Sequence, residues 1–164
     1  MSRIENIQRK IISRQELDRW LAIARFKNRK IVFTNGCFDI LHKGHVNYLA
    51  EASALGDLLV VGLNTDDSVK RLKGDSKPLL DETARALILA SLSQVSAVVL
   101  FDEDTPYELI RKVQPDVLVK GGDYVPEDIV GYDLVTARGG KVLTINLTEG
   151  YSSSSLIAKM SGNS

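Results

Sequence analysis

The segment Ile31-Val-Phe-Thr-Asn-Gly-Cys-Phe-Asp-Ile-Leu-His-Lys-Gly-His45 decides how this chain folds. It begins with apolar and β-branched residues, which predict a buried strand, and small polar residues then predict a loop. Two histidines three residues apart flank Gly44, so a helix that begins there would carry both imidazoles on one side of its first turn. Free backbone N–H groups and the positive end of the dipole favour an anion at a helix N-terminus. We therefore predict a phosphate site directly after the first strand.

The composition is that of one globular domain that acts on a small molecule. The chain has 164 residues, 44% of them hydrophobic, and its 21 basic and 21 acidic residues give a formal net charge of zero. No overall field therefore attracts nucleic acid or a membrane surface. No apolar run reaches the length of a bilayer span, and residues 1–10 do not match a signal peptide. The single cysteine, Cys37, agrees with a reducing compartment, so we predict a cytoplasmic protein.

Short apolar segments alternate with helical patterns along the chain. Strands are predicted near residues 31–34, 58–63, 97–101, 116–119 and 141–145, and helices near 44–54, 66–72, 81–93, 105–113, 127–138 and 153–160. This alternation predicts an α/β fold of the Rossmann-like, doubly wound type, a single domain with a five-stranded parallel sheet and helices on both faces. Ligands bind such sheets outside the carboxyl ends of the strands.

Helix start signals appear at two further places. Ser13-Arg-Gln-Glu16 matches a capping box, and the apolar residues after it recur at helical spacing, which predicts an amphipathic helix. We expect residues 1–29 to form a helical extension packed on a main domain of residues 30–164. In Thr105-Pro-Tyr-Glu108, Thr105 is the predicted N-cap and the proline the first helical residue.

Three other segments carry residues suited to anions, and each has an ordinary structural interpretation. Lys70, Arg71 and Lys73 could form a mobile phosphate clamp or simply a solvated helix end. The glycines of Lys120-Gly-Gly-Asp-Tyr124 permit close approach of a ligand, or form a turn. Ser152, Ser153 and Ser154 would cap the last helix and hold phosphates there, unless they are a flexible end.

Two alternatives apply to the first motif. Cys37, Asp39, His42 and His45 could be zinc ligands, although their spacing lacks the second paired cluster of structural zinc sites. Asn35-Gly36 could be a hairpin turn, but the residues after it do not alternate like a returning strand. A loop that leads into a helix explains the segment better.

H-x-G-H preceded by T-N-G-C-F-D resembles the cytidylyltransferase-like group of nucleotidyltransferases, which join a nucleoside monophosphate to a phosphorylated substrate and release pyrophosphate. Four further segments are similar to the adenylyltransferase domain of the bacterial ADP-heptose pathway: Asn64-Thr-Asp-Asp-Ser-Val-Lys-Arg-Leu-Lys-Gly74, Phe101-Asp-Glu-Asp-Thr-Pro106, Leu118-Val-Lys-Gly-Gly-Asp-Tyr124 and Glu149-Gly-Tyr-Ser-Ser-Ser-Ser-Leu-Ile157. The resemblance runs from about Lys10 to Met160. Many members carry a sugar kinase in the same chain, so it implies a stand-alone form that depends on a separate heptose kinase and phosphatase.

The resemblance assigns roles to individual residues. Those implied in catalysis are His42, His45 and Lys120. Those implied in nucleotide binding are Thr34, Asn35, Gly36, Cys37, Phe38, Gly44, Gly122, Asp123, Ser152, Ser153 and Ser154. Those implied in binding the sugar phosphate are Asp39, Arg71, Lys73 and Arg85. Mg²⁺ is expected on the nucleotide phosphates without metal ligands from the protein, and a homodimer is expected from the family.

The residues leave several alternatives open. Asp39 could be a cap or turn residue, and Arg85 could form an exposed salt bridge with Asp81 or Glu82. The motif does not choose the base or the acceptor, so a glycerol-phosphate or ethanolamine-phosphate cytidylyltransferase is the nearest other function. A nucleotide-binding regulatory module without catalysis is the alternative of another class. The chain has Ser96 where the family has Asp, and Ser153 and Ser154 where it has threonines.

Overall fold

The computed structural model describes residues 1–162, in which five strands form one parallel sheet. The strands are β1 (Ile31–Gly36), β2 (Leu58–Asn64), β3 (Ala97–Phe101), β4 (Val117–Gly121) and β5 (Lys141–Ile145). The helices are α1 (Arg3–Gln8), α2 (Arg14–Phe26), α3 (Lys43–Ser53), α4 (Asp66–Lys73), α5 (Glu82–Ser91), α6 (Tyr107–Val113), α7 (Tyr132–Ala137) and α8 (Ser153–Met160), with a 3₁₀ turn at Pro126–Asp128. The predicted α/β, Rossmann-like fold is confirmed.

The strand order β3-β2-β1-β4-β5 places β1 at the centre of the sheet. Ile31 pairs with Leu58 on one side of β1, and Val32 pairs with Val117 on the other. The chain moves outward from β1 to β2 and β3, and then returns to the other side of β1 for β4. The order therefore reverses between β1 and β4, and a crevice opens at their carboxyl ends.

Helices cover both faces of the sheet, and successive residues of β1 show why. Phe33 is buried in one hydrophobic cluster with Leu17 of α2 and Leu109 of α6. Val32 is buried in a second cluster with Leu49 of α3, on the opposite face. Because side chains alternate along a strand, a strand covered on both faces is apolar at consecutive positions.

The N-terminal segment contains a helix that the sequence analysis did not predict. Ser2 and Glu5 form a capping box for α1. The chain then runs along the outer edge of β3, where the N–H of Ile12 donates to the carbonyl of Val98 at 2.9 Å and the N–H of Val98 donates to Lys10 at 2.8 Å. These bonds cover part of a sheet edge. The division at residues 29 and 30 stays a prediction.

Two predicted helix bounds were wrong. The helix predicted over 127–138 is divided into a 3₁₀ turn and α7, because Gly131 adopts φ +92°, which ends regular helix geometry. The helix predicted from residue 105 begins at Tyr107; Pro106 is its N-cap, without a capping side-chain hydrogen bond. Among residues 1–162, no helix has both the length and the apolar character needed to cross a membrane.

Candidate active site

A cavity of about 660 Å³ lies where the strand order reverses, and its volume is typical of a small-molecule site. Asn35 and Gly36 from β1 and Lys120 and Gly121 from β4 line it. The N-terminal ends of α3 and α8 also reach it. The residues predicted for the site that line the cavity are Asn35, Gly36, Cys37, Phe38, Asp39, His42, Gly44, His45, Lys73, Lys120, Ser152, Ser153 and Ser154.

The two histidines form a reciprocal cap at the start of α3. The Nδ1 atom of His42 accepts the N–H of Gly44 at 3.1 Å, and the Nδ1 atom of His45 accepts the N–H of His42 at 3.4 Å. The rings stack with centroids 3.9 Å apart. An Nδ1 atom that accepts a hydrogen bond carries no proton, so each neutral ring has its proton on Nε2. Both histidines therefore retain an Nε2–H donor in a cavity that they line.

Burial keeps these imidazoles uncharged in the unliganded site. Loss of water contact lowers the pKa of His42, and the pKa of His45 falls to about 4 through burial and the positive charges of His42 and Lys73. Both rings are therefore neutral near pH 7. A bound polyanion would favour the protonated forms and raise both pKa values.

Gly44 is required by the imidazole beside it. A Cβ atom at this position would lie 2.8 Å from Cε1 and 2.9 Å from Nδ1 of His42. Carbon atoms without a bond between them do not approach this closely, so a side chain here would displace the His42 ring. The sequence analysis did not predict this contact.

Asp39 holds a neighbouring segment. Its carboxylate oxygens accept the N–H of Leu79 at 2.8 and 3.0 Å and the N–H of Leu80 at 2.9 Å. The side chain lines the cavity, but the residue is only 8% exposed. These partners are distant in sequence, so neither a local cap nor a local turn describes the contacts of Asp39.

Arg85 makes contacts that the sequence analysis did not predict. Its side chain is fully buried and pairs with Asp66 at 2.7 Å, and not with Asp81 or Glu82 at the surface. The guanidinium also donates to the carbonyls of Cys37 and Asn64 at 2.8 Å and of Leu80 at 3.0 Å. It lies outside the cavity lining and holds three loops together, a role that the resemblance did not imply.

Four other predicted residues also lie outside the lining. Arg71 bonds the carboxylate of Asp104 at 3.0 Å and the carbonyl of Asp102, in a separate surface groove. Thr34 is buried. The loop after β4 contributes Lys120 and Gly121 to the lining, whereas Gly122 and Asp123 lie beyond it. The strand β4 extends to Gly121, two residues beyond its predicted end, so the turn that contains Gly122 and Asp123 begins later than expected.

The three serines bring the N-terminus of α8 to the cavity. Ser152 is the N-cap and accepts the N–H of Ser155 at 3.0 Å. Ser153 donates to the carbonyl of Ile40 at 3.2 Å, which ties α8 to the loop after β1. Ser154 also lines the cavity. The predicted capping role is present, and the hydroxyls of Ser152 and Ser154, with the free N–H groups of this turn, are available to an anion.

Sequence reasoning missed two tyrosines in the lining. Tyr48 lies three residues after His45, one helical turn further along the same face, so its spacing could have revealed it. Its hydroxyl lies 2.6 Å from that of Thr34, and burial raises its pKa to about 12. The ring of Tyr151 stacks on His42 with centroids 6.3 Å apart. Tyr151 follows Gly150, and no periodicity in this loop marked it as a site residue.

Residues 33–159 match the family described as cytidylyltransferase-like. The chain belongs to the cytidylyltransferase-like family. It is accordingly a nucleotidyltransferase. The match confirms the family that the sequence analysis named. The roles of individual residues stay predictions.

The relatives of this cytidylyltransferase-like chain include two proteins named bifunctional protein HldE. One, from Syntrophotalea carbinolica, is 55% identical over 92% of this chain, and the other, from Citrifermentans bemidjiense, is 59% identical over 85%. The matches cover 31% and 29% of those proteins, so this chain spans under a third of their length. A solved structure titled lipopolysaccharide core biosynthesis protein, from Thermoplasma volcanium GSS1, is 31% identical. It covers 76% of this chain and 99% of its own, with a TM-score of 0.59.

The site does not provide a protein cage for a metal ion. Among residues 1–162, no group of three or more His, Cys, Asp and Glu side chains is arranged to hold one, including the zinc ligands considered above. Asp39 supplies the carboxylate of the described lining, and its oxygens already accept backbone N–H groups. Among the polar groups of the described lining, hydrogen-bond donors and cations predominate, which suits an anionic substrate.

Proposed function

We propose that this chain transfers AMP from ATP to D-glycero-β-D-manno-heptose 1-phosphate, which yields ADP-heptose and pyrophosphate. The observation that carries the transfer chemistry is the stacked pair His42 and His45, whose Nε2–H donors meet lysines and a helix N-terminus around one cavity. The assignment of heptose 1-phosphate as the acceptor depends on the four segments that resemble the adenylyltransferase domain of the ADP-heptose pathway. Identity to proteins named HldE and likeness to a lipopolysaccharide core biosynthesis protein support it.

The reaction needs no nucleophile from the protein. A phosphate oxygen of the sugar 1-phosphate attacks the α-phosphorus of ATP and forms a new phosphorus–oxygen bond. The bond from the α-phosphorus to the oxygen that bridges to the β-phosphate breaks, and its electron pair leaves with pyrophosphate. Because the attacking group is already an anion, no proton has to be removed, and catalysis rests on positioning and on stabilisation of charge.

The proposed roles follow from the donors in the cavity. His42 and His45 donate to oxygens of the transferring phosphate, and Lys120 with the serine-capped turn of α8 stabilises the leaving pyrophosphate. Lys73 meets the acceptor phosphate. We do not propose Arg71 or Arg85 as ligands, because their guanidinium groups are held elsewhere by carboxylates and carbonyls.

Mg²⁺ would enter with ATP. The described lining does not fit a resident ion, so the nucleotide phosphates and water would supply its ligands, as is usual for this small, strongly hydrated cation. When bound, it would neutralise phosphate charge. A kinase and a phosphatase would supply heptose 1-phosphate, and the expected homodimer is likewise a proposal.

A pyrophosphate-release assay tests the function. The purified chain is given Mg²⁺, each nucleoside triphosphate, and either heptose 1-phosphate or glycerol 3-phosphate. Release that requires both ATP and heptose 1-phosphate is the expected result. Release only with CTP and glycerol 3-phosphate would overturn the acceptor and the base but retain nucleotidyl transfer. Nucleotide binding without release in any pair would support the regulatory-module alternative.

A further inference from the structure

A second cavity, of about 530 Å³, lies at the opposite edge of the sheet. It is formed where β1, β4 and β5 begin, whereas the candidate active site lies where β1 and β4 end. Its charged lining consists of Arg25, Arg29, Lys30, Arg138, Lys141 and Asp116. A chain with no net charge therefore concentrates five cations and one carboxylate around one cavity.

Helix C-termini explain part of this charge. The helices α2, α6 and α7 all end beside the cavity, and basic residues at a C-terminus offset the negative end of the helix dipole. Arg25 does so directly, since its guanidinium donates to the carbonyl of Val113, the last residue of α6. Three such ends contribute about −1.5 charges in all. With Asp116 and the neighbouring Asp57 included, these negative charges leave an excess of about 1.5 positive charges.

The remaining cations have no acidic partner within the described part of the chain. Every ion pair that residues 1–162 form involves other basic groups. The carboxylate of Asp116 accepts the N–H of Ile31 at 2.7 Å, and Asp57 accepts the N–H of Lys30 at 2.7 Å. Both nearby carboxylates therefore bond the backbone. Unpaired like charges around a concave site attract an anion.

We propose that this cavity binds a small molecule with at least two phosphate groups. Its volume is within the range of small-molecule sites, which favours a compact ligand over an extended acidic protein surface. Guanidinium groups bind phosphate in bidentate fashion, and three arginines line the cavity together with two lysines. Three arginines and two lysines carry more N–H donors than the oxygens of a single phosphate can accept, whereas two or more phosphates could accept from all five side chains. The proposal does not depend on the substrate proposed for the active site.

Nuclear magnetic resonance of the ¹⁵N-labelled chain, titrated with tripolyphosphate, tests this proposal. We expect saturable shifts of the backbone amides of Gly139 and Lys141, separate from those at Gly44 and His45 in the active site. The variant that combines Arg138→Gln and Lys141→Gln should weaken binding at the second cavity by about tenfold or more and leave the active-site shifts unchanged. Both side chains are exposed, so the fold should persist.

The matched control combines Arg9→Gln with Arg19→Gln, two exposed basic residues of the N-terminal region, and changes the net charge equally. It should bind like the parent chain. Equal weakening by both double variants, or shifts that never saturate, would overturn the proposal in favour of non-specific attraction. Orthophosphate that binds as tightly as tripolyphosphate would overturn the requirement for two phosphates. An acidic peptide that saturates the site when tripolyphosphate does not would identify a protein contact instead.

Discussion

His45 combines two functions in one ring, since Nδ1 caps the backbone of α3 and Nε2 provides a donor to the cavity. His45→Ala removes both, and we expect turnover to fall by about 10²–10³, the usual effect of losing one donor to developing negative charge. His45→Asn retains an acceptor close to the Nδ1 position but lacks the Nε2–H. It should lose activity like His45→Ala while its thermal unfolding midpoint stays near that of the parent chain. The measurements are initial rates of pyrophosphate release and circular-dichroism melting; near-parent turnover in His45→Asn would refute the role of Nε2.

The low pKa of His45 predicts that nucleotide binding takes up protons. Burial and nearby cations hold this pKa at about 4, below the ordinary value of 6.5 for histidine, so the His45 ring is neutral above about pH 5 when no ligand is bound. A triphosphate favours the charged ring and raises its pKa, so a fraction of a proton should be bound between about pH 5 and 6.5. Calorimetry of ATP binding in two buffers of different ionisation enthalpy measures this uptake. His45→Asn should reduce the uptake, and proton release on binding would contradict the assignment.

At the scale of elements, two buried charges fasten the segment between α4 and α5 to the loop after β1. Asp39 binds the N–H groups of Leu79 and Leu80, and Arg85 binds the carbonyls of Leu80 and Cys37. Asp39→Ala would leave two N–H groups without their acceptor, so we expect a loss of about 1–3 kcal/mol in the free energy of unfolding. Hydrogen exchange of the Leu79 and Leu80 amides should become faster, whereas β2 amides should exchange faster only through global unfolding. Unchanged exchange at Leu79 would show that Asp39 does not hold this segment.

The same contacts show what sequence reasoning could predict. The strands, the start of α3 and the pairing of His42 with His45 depend on local patterns, and the structure has them. The partners of Asp39 and Arg85 lie tens of residues away in sequence, so no spacing rule could assign them. The sequence analysis missed the break between the 3₁₀ turn and α7, because a helical pattern continued across Gly131. The fold was therefore more predictable than the site, where tertiary contacts decide which charged residues reach the cavity.

At the scale of the whole molecule, the N-terminal segment protects the edge of the sheet at β3. The segment Lys10–Ile12 pairs with Val98 on β3, and Ile12 is buried in the core beneath α2. Deletion of residues 1–12, with an initiating methionine retained, would expose the backbone groups of Val98 and the apolar surface that Ile12 covers. Unpaired strand edges promote association between chains. We therefore expect a lower midpoint of urea unfolding and concentration-dependent oligomers in size-exclusion chromatography.

Deletion of residues 1–9 alone is the control, because it removes α1 but retains both hydrogen bonds to Val98. This variant should remain closer to the parent chain in both measurements. Equal behaviour of the two deletions would show that α1, and not the edge pairing, accounts for the contribution of this segment to stability.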